Sequence, residues 1–294
     1  MKRGTVSGTA RKDAAATSTR LTIARRVVKT GADGRAEIRR KRGMEIMKGV
    51  RLRTNERVDS LDHLGRRIIQ RTDGFRFAMD AVLLAHFPRY KKNCRVLDLG
   101  TGVGAMPLLI AEHTAYIEAV ELDADTAGMA ARSVLLNGLE ETIRVRQADY
   151  RDLGMLAPPE RFDVVLANPP YGNLSDGPTA KGPRAGARQE VTATIEDVVR
   201  AARYALRYHG KFAMIYRPAR LADVFAALSA HQLVPKRMRF VEPRAGKSAN
   251  LVLIEAVQGG AQGGLVVLPT LRVYGEDGKY TKELLEIYGK KSEE

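Results

Sequence analysis

Asn168-Pro169-Pro170-Tyr171 closes the apolar run "FDVVLA" with a side-chain amide, two prolines and an aromatic ring. Two consecutive prolines give up two backbone donors and hold φ near about −65°. That is a costly way to make an ordinary turn. The tetrapeptide therefore reads as a rigid mount for chemistry that wants an amide at one end and a π face at the other. The plainer reading is a Pro-rich loop with a packed tyrosine.

A second constellation lies upstream. "VLDLGTGVG", Val96 to Gly104, follows a strand-like run and opens a helical one, with glycines at Gly100, Gly102 and Gly104. Glycines at this spacing permit positive φ and close approach of a ligand to the backbone, and a helix N-terminus behind them favours an anion or carboxylate. A dinucleotide site prefers G-x-G-x-x-G, which this loop does not match. Asp98 sits two residues before the first glycine. The next strand ends "VELD", where Glu121 is placed to accept from ribose hydroxyls. The third ends "QAD", where Asp149 is placed to accept from an adenine amino group. Three carboxylates at successive strand ends around a glycine loop suit a nucleoside with a cationic tail. Each has a plainer reading: the loop as a turn, Asp98 as a cap of the following helix, Glu121 with Asp123 as a solvated pair.

The elements that must position these residues alternate. "CRVLDLG", "YIEAVELD", "TIRVRQAD", "FDVVLAN" and "KFAMIYR" read as strands. "AMPLLIAEH", "ADTAGMAARSVLLNGL", "TIEDVVRAARYALRYHG" and "ARLADVFAALSAHQL" read as helices, with Thr194 and Asp197 as an N-cap pair. This order predicts βαβ units and a mostly parallel α/β sheet. "PKRMRFVE" and "SANLVLIEAV" follow with no helix between them, which predicts an antiparallel pair at one edge.

Composition narrows the partners. The chain of 294 residues carries a net charge of +15, which points to a polyanion, most plainly nucleic acid. Residues 1–46 hold 13 Lys and Arg against 4 Asp and Glu, leaving +6 for the remaining 248. That segment is small, polar and basic, and we expect it to be disordered. It reads as a nucleic-acid-binding arm, as a transit peptide, or as a mis-assigned start ahead of Met44 or Met47. We place the folded domain at 47–294, with a lead-in at 59–92. The lone Cys94 forms no internal disulfide, suits a reducing compartment and reads as a buried small hydrophobe. No apolar run approaches the ~20 residues of a membrane span, and no apolar core follows the basic N-terminus as a secretory signal requires. We expect a cytoplasmic protein without membrane or metal, a monomer or homodimer.

"VLDLGTGVG", "VELD", "QAD" and "NPPY" together resemble the amino-group branch of the class I S-adenosyl-L-methionine-dependent methyltransferases, from about Asp59 to the C-terminus. The resemblance implies a doubly wound, seven-stranded Rossmann-like sheet with an antiparallel last strand. It implies that the Asn168 side-chain oxygen and the Pro169 carbonyl accept hydrogen bonds from an exocyclic amine, that Pro170 stiffens the loop and that Tyr171 stacks on the base. It also implies a cofactor set of Phe77, Asp80, Asp98, Gly100, Thr101, Gly102, Glu121, Leu122, Asp149 and Asn168. Phe77 as core and Asp80 as a helix cap are the plainer readings of those two.

Adenine N6, guanine N2 and glutamine N5 methylases share this loop. The lead-in "RIIQRTDGFRFAMDAVLLAHF", Arg67 to Phe87, resembles that of the bacterial tRNA(Val) adenine N6-methyltransferases. So do "ARQE" at Ala187–Glu190, "YRPARLADV", and "LRVYGEDGKYTKELLEIYG" at the end. The implied substrate is an adenine beside the anticodon, with tRNA the partner. Ser175–Glu190 reads as an RNA-facing loop, with Lys181, Arg184 and Arg188 as phosphate ligands or as plain solvated cations. Tyr274 and Tyr280 read as core or helix-packing residues. The rival from another class is a catalytically idle RNA-binding protein.

Overall fold

The computed structural model describes residues 39–41, 44–47, 49–62, 64–73, 79–152, 154, 159–171 and 193–289. The chain divides into two units, Met1–Ala36 and Glu37–Glu294. The first lies outside the described residues, as do Phe77, Lys181, Arg184 and Arg188.

The second unit begins with a small antiparallel sheet of β1 (Arg39–Lys41), β2 (Met44–Met47) and β3 (Val50–Arg51). A hairpin follows, β4 (Glu56–Ser60) with β5 (Arg67–Arg71). The sequence boundary at 46/47 thus falls inside β2, before its last residue, and the lead-in boundary at 59 falls inside β4. The main sheet is built from β6 (Cys94–Leu99), β7 (Thr114–Glu121), β8 (Ile143–Gln147), β9 (Phe162–Ala167), β10 (Leu206–Tyr216), β11 (Leu233–Glu242), β12 (Leu251–Gln258) and β13 (Val266–Arg272). Its order is β13-β11-β12-β10-β9-β6-β7-β8. β6 to β10 run parallel, and β12 runs antiparallel to both of its neighbours.

The expected doubly wound topology is present, with two corrections. The sheet has eight strands, because β13 adds in parallel outside β11. The reversed strand β12 sits inside the sheet because it pairs with both β10 and β11, and the edge belongs to β13. The run "LRYHG", read as the end of a helix, is strand instead. Its helix stops at Ala205 because Leu206 turns extended (φ −73°, ψ 135°) and pairs with Phe162. His209, at φ 59°, sits in a bulge that no right-handed helix accommodates.

Among the described residues six helices cover the faces: α1 (Met79–His86), α2 (Ala105–Ile110), α3 (Ala124–Asn137), α4 (Ile195–Ala205), α5 (Leu221–Ala230) and α6 (Lys282–Ile287). Their ends follow local chemistry. Asp123 caps α3 by accepting from the Thr126 N–H, and Gly138 ends it in the left-handed region at φ 68°. Thr194 and Asp197 form the expected capping box on α4.

Strand residues alternate between two cores. Val164, Leu166, Ala213 and Ile215 face one cluster with α1 and α2; Val165, Ala167, Phe212 and Met214 face the other with α4 and α5. This alternation decides where the site lies, because it turns Asp98 to the same face as Val96.

Candidate active site

Parallel strands deliver their carboxyl ends to one rim, so β6, β7 and β9 bring the glycine loop, Glu121 and Asn168 side by side. All three loop glycines have positive φ, from 59° at Gly102 to 88° at Gly104. A side chain at Gly104 would also lie 3.2 Å from the Ala130 Cβ, so this glycine lets α3 approach the loop. The Gly100 and Thr101 N–H groups both donate to the Val120 carbonyl at 2.9 Å. The Gly102 N–H donates to Glu121 Oε2 at 2.8 Å, while Glu121 Oε1 accepts from the Asp123 N–H at 3.0 Å. Glu121 thereby clamps the loop. Each carboxylate oxygen has a second lone pair that still serves a hydroxyl.

Asp98 is fully buried, and neither carboxylate oxygen has a hydrogen-bond partner. Burial pushes its carboxyl up to about 7; the nearby Thr101 offsets part of this and the Glu121 charge adds to it. The Thr101 hydroxyl forms no well-aligned bond with Asp98, since it too has no partner. A buried carboxylate without a partner is costly unless a cation meets it. The folded carboxyl holds its proton more tightly than the unfolded one, so stability falls as pH rises from about 4 to 7 and levels off above. Full ionisation costs on the order of 4 kcal/mol. Asp98→Asn is therefore expected to gain stability relative to the parent as pH rises from 5 to 8, read by thermal melting. A difference in melting point that stays flat over this range would show that the site already neutralises the charge.

Asp149 reaches the same rim, but its carboxylate is taken. The Arg151 guanidinium grips it with contacts of 2.6–3.0 Å and the Arg151 N–H adds one at 2.9 Å, which holds the carboxyl below the usual range. An incoming amine must share Asp149 with Arg151 or displace it. Leu122 is half exposed just past β7. Tyr150 lies beside Gly100, and burial pushes its phenol up.

Asn168 follows β9 directly. Pro169 is buried and Pro170 exposed, so the first proline anchors the loop in the protein and the second faces out. The Tyr171 hydroxyl lies 2.9 Å from Asp80 Oδ2 and 2.9 Å from Asn168 Oδ1. Asp80 Oδ1 accepts from the Ala81 N–H at 2.9 Å, so Asp80 both opens α1 and reaches the loop. Burial and the Asp80 charge push the Tyr171 phenol up. The Arg217 guanidinium sits 4.7 Å above the Tyr171 ring, and Tyr216 meets that ring edge-on at 5.6 Å. A base stacking on Tyr171 must use the face Arg217 leaves open or move the guanidinium aside.

A cleft of about 290 Å³ opens between the glycine loop, Asp80 and Asn168, while Asp98, Glu121, Asp149 and Tyr171 are not among its lining residues. Asp80, Gly100, Thr101, Gly102 and Asn168 line it, with Arg71, Met106 and Met129 among residues the sequence reading missed. The three missed residues come from β5, α2 and α3, and only their spatial adjacency brings them together. Among the described residues no group of three or more His, Cys, Asp or Glu could hold a metal ion, and no described helix is long and apolar enough to cross a membrane.

Residues 78–240 match the methyltransferase small domain family. Proteins from Tolumonas auensis and Dickeya chrysanthemi, both named tRNA1(Val) (adenine(37)-N6)-methyltransferase, are 30% identical over 181 residues and 31% identical over 186. These matches cover 60% and 62% of this chain and 73% and 72% of the relatives. A protein of the same name from Aeromonas hydrophila is 29% identical over 216 residues, covering 71% of this chain and 86% of its own. The solved structure of a predicted O-methyltransferase from Agrobacterium tumefaciens superposes with a TM-score of 0.58 at 24% identity, over 71% of this chain and 95% of that one. At that identity the likeness is one of fold.

Proposed function

Since the chain belongs to the methyltransferase small domain family, we propose that it moves a methyl group from S-adenosyl-L-methionine to N6 of an adenine in tRNA, beside the anticodon of a valine tRNA. The names of its relatives support this substrate. The observation that carries the reading is the position of Asn168: it ends β9 on the rim and lines the same cleft as the glycine loop. A tRNA substrate and this donor suit the cytoplasm.

The residues fit the donor. S-adenosyl-L-methionine supplies an electrophilic methyl on a sulfonium and carries an ammonium and a ribose. The unpartnered Asp98 carboxylate suits the cationic end, and Glu121 has lone pairs left for the ribose hydroxyls. The glycine loop leaves room for a ligand against its backbone. Asp149, shared with Arg151, suits the adenine amine.

An adenine amino nitrogen is conjugated into its ring and is a poor nucleophile. The Asn168 amide oxygen and the Pro169 carbonyl accept hydrogen bonds from its two N–H groups, draw the nitrogen towards sp3 geometry and aim its lone pair. Positioning of this kind supplies several kcal/mol, and no general base is needed before the methyl arrives; the nitrogen sheds its surplus proton to solvent afterwards. The base must leave its stack to reach the rim, and Tyr171 receives it there.

Counting protons assigns a task to Asp80. The Tyr171 hydroxyl has one proton and two neighbours at 2.9 Å. A carboxylate only accepts, whereas an asparagine amide presents either its oxygen or its NH2 after a half-turn. When the phenol donates to Asp80, the amide atom facing it must be the donor Nδ2. The Asn168 oxygen then points away from Tyr171 and is free for the target amine.

Nucleoside mass spectrometry of RNA from cells with and without the gene tests the reading. Loss of N6-methyladenosine from the tRNA fraction, restored by the gene, is expected. Loss of N2-methylguanosine from ribosomal RNA, or of methylglutamine from a release factor, assigns the chemistry to the rival amines. No change in any of them, with salt-sensitive tRNA binding retained, favours an idle RNA-binding protein.

A further inference from the structure

The C-terminal elements build a second feature on the rim. β12 is reversed, so it starts at the edge where β10 ends, with Val252 opposite Tyr216. β11 and β13 end there as well, Glu242 opposite Arg272. The β11–β12 turn, the segment after β13 and α6 therefore all lie on the side of the catalytic loop. They carry a row of rings. Tyr274 and Tyr280 have centroids 5.2 Å apart, and Tyr280 and Tyr288 lie nearly parallel at 6.1 Å. The Arg244 guanidinium covers Tyr274 at 5.8 Å.

The row meets the catalytic loop at both ends. On one side Arg217 lies over Tyr171 and donates to the Asn250 carbonyl, in the turn that carries Arg244 and Lys247. On the other, α6 packs against α1, the helix that Asp80 opens. The phenol of Tyr288 is pushed up to about 12, by burial first and then by the charges of Tyr280 and Asp80.

Packing accounts for two of the three rings. Tyr274 and Tyr288 rest on the same core cluster as Tyr171. Tyr280 does not: it is 42% exposed, yet held in register by its neighbours. Arg244 and Lys247 are exposed and have no acidic partner among the described residues. Of the nearby acids, Glu242 pairs with Arg272 and Glu283 with Arg239, Asp277 accepts from the Lys279 N–H, and Glu276 is exposed. An ordered, exposed ring beside unpaired cations fits an unstacked nucleic-acid strand, whose bases stack on the ring while its phosphates meet the cations.

We propose that Tyr280, Arg244 and Lys247 bind the RNA strand flanking the target adenosine, Tyr280 stacking on a neighbouring base and the two cations contacting phosphates. The proposal rests on the tRNA reading above; of the two expectations for Tyr280, core or helix-packing, its exposure rules out the first and its stack on Tyr288 fits the second. In the full chain, Tyr280→Ala is expected to raise KM and Kd for an unmodified tRNA transcript about tenfold, leaving saturating kcat within about twofold and cofactor affinity unchanged. Tyr280→Phe keeps the ring and is expected to match the parent. The Arg244→Ala/Lys247→Ala double variant is expected to weaken binding and flatten its dependence on log salt by roughly one to two units. If Tyr280→Ala also lowers the melting point, the double variant, whose two side chains are exposed, decides. Parent-like tRNA affinity in that double variant, or a Phe substitution as damaging as Ala, overturns the platform. Absence of methyl transfer by the parent on any tRNA defeats the activity itself, a separate outcome.

Discussion

Asn168→Ala is expected to reduce kcat for methyl transfer to tRNA by at least about 10²–10³-fold, the loss typical when one preorganised polar group is removed from a reacting centre. Cofactor affinity by calorimetry is expected to stay within about twofold. The amide sits at the end of β9 and lines the cleft, but the groups suited to the cofactor's charged and ribose ends are Asp98, Glu121 and the glycine loop. The substitution deletes an acceptor for the target amine and leaves that binding apparatus untouched. A parallel collapse of cofactor binding would falsify the division of labour between the two halves of the rim.

The second large effect concerns Asp80, which lines the cleft and also bonds Tyr171. If Asp80 works through Tyr171 to turn the Asn168 amide, Asp80→Asn is expected to lower kcat roughly 10- to 100-fold, with KM for tRNA little changed. An asparagine at position 80 can donate to the phenol, which then donates to Asn168 and captures the oxygen the substrate needs. A double-mutant cycle with Tyr171→Phe isolates this route, because contacting side chains in one network couple by about 0.5–3 kcal/mol. In the Tyr171→Phe background, Asp80→Asn is expected to have little further effect. Independent, multiplying losses in kcat would mean that Asp80 acts on the cofactor directly, as the family resemblance alone suggests.

Much of this site was legible because its chemistry is local. Asn168-Pro169-Pro170-Tyr171 and Gly100–Gly104 are contiguous, and strand–helix alternation alone sends their strand ends to one rim. What escaped was pairing that depends on neighbours in space. Arg217 over Tyr171 and the Asp80–Tyr171 bond join residues from three different elements. Arg151 stands two residues from Asp149, near enough to have been seen, yet no periodicity marks a side chain that folds back on its own turn. Strand β13 was missed because "VVLPTLR" contains a proline, which removes a ladder donor and reads against a strand; at the sheet's outer edge that donor is not needed. The helix boundary at Ala205 was missed because "RYALRYHG" keeps helical composition past the point where pairing with β9 takes over.

The reversed strand also bears on how the chain matures. β12 fills a slot between β10 and β11, and nearly every one of its side chains is buried. Synthesis delivers β10 and β11 first, so during translation both expose an unfilled hydrogen-bonding edge and an apolar gap. Such a half-built sheet is sticky, and only arrival of β12 seals it. β12 is thus a keystone: a ribosome that stalls before it leaves an aggregation-prone shell.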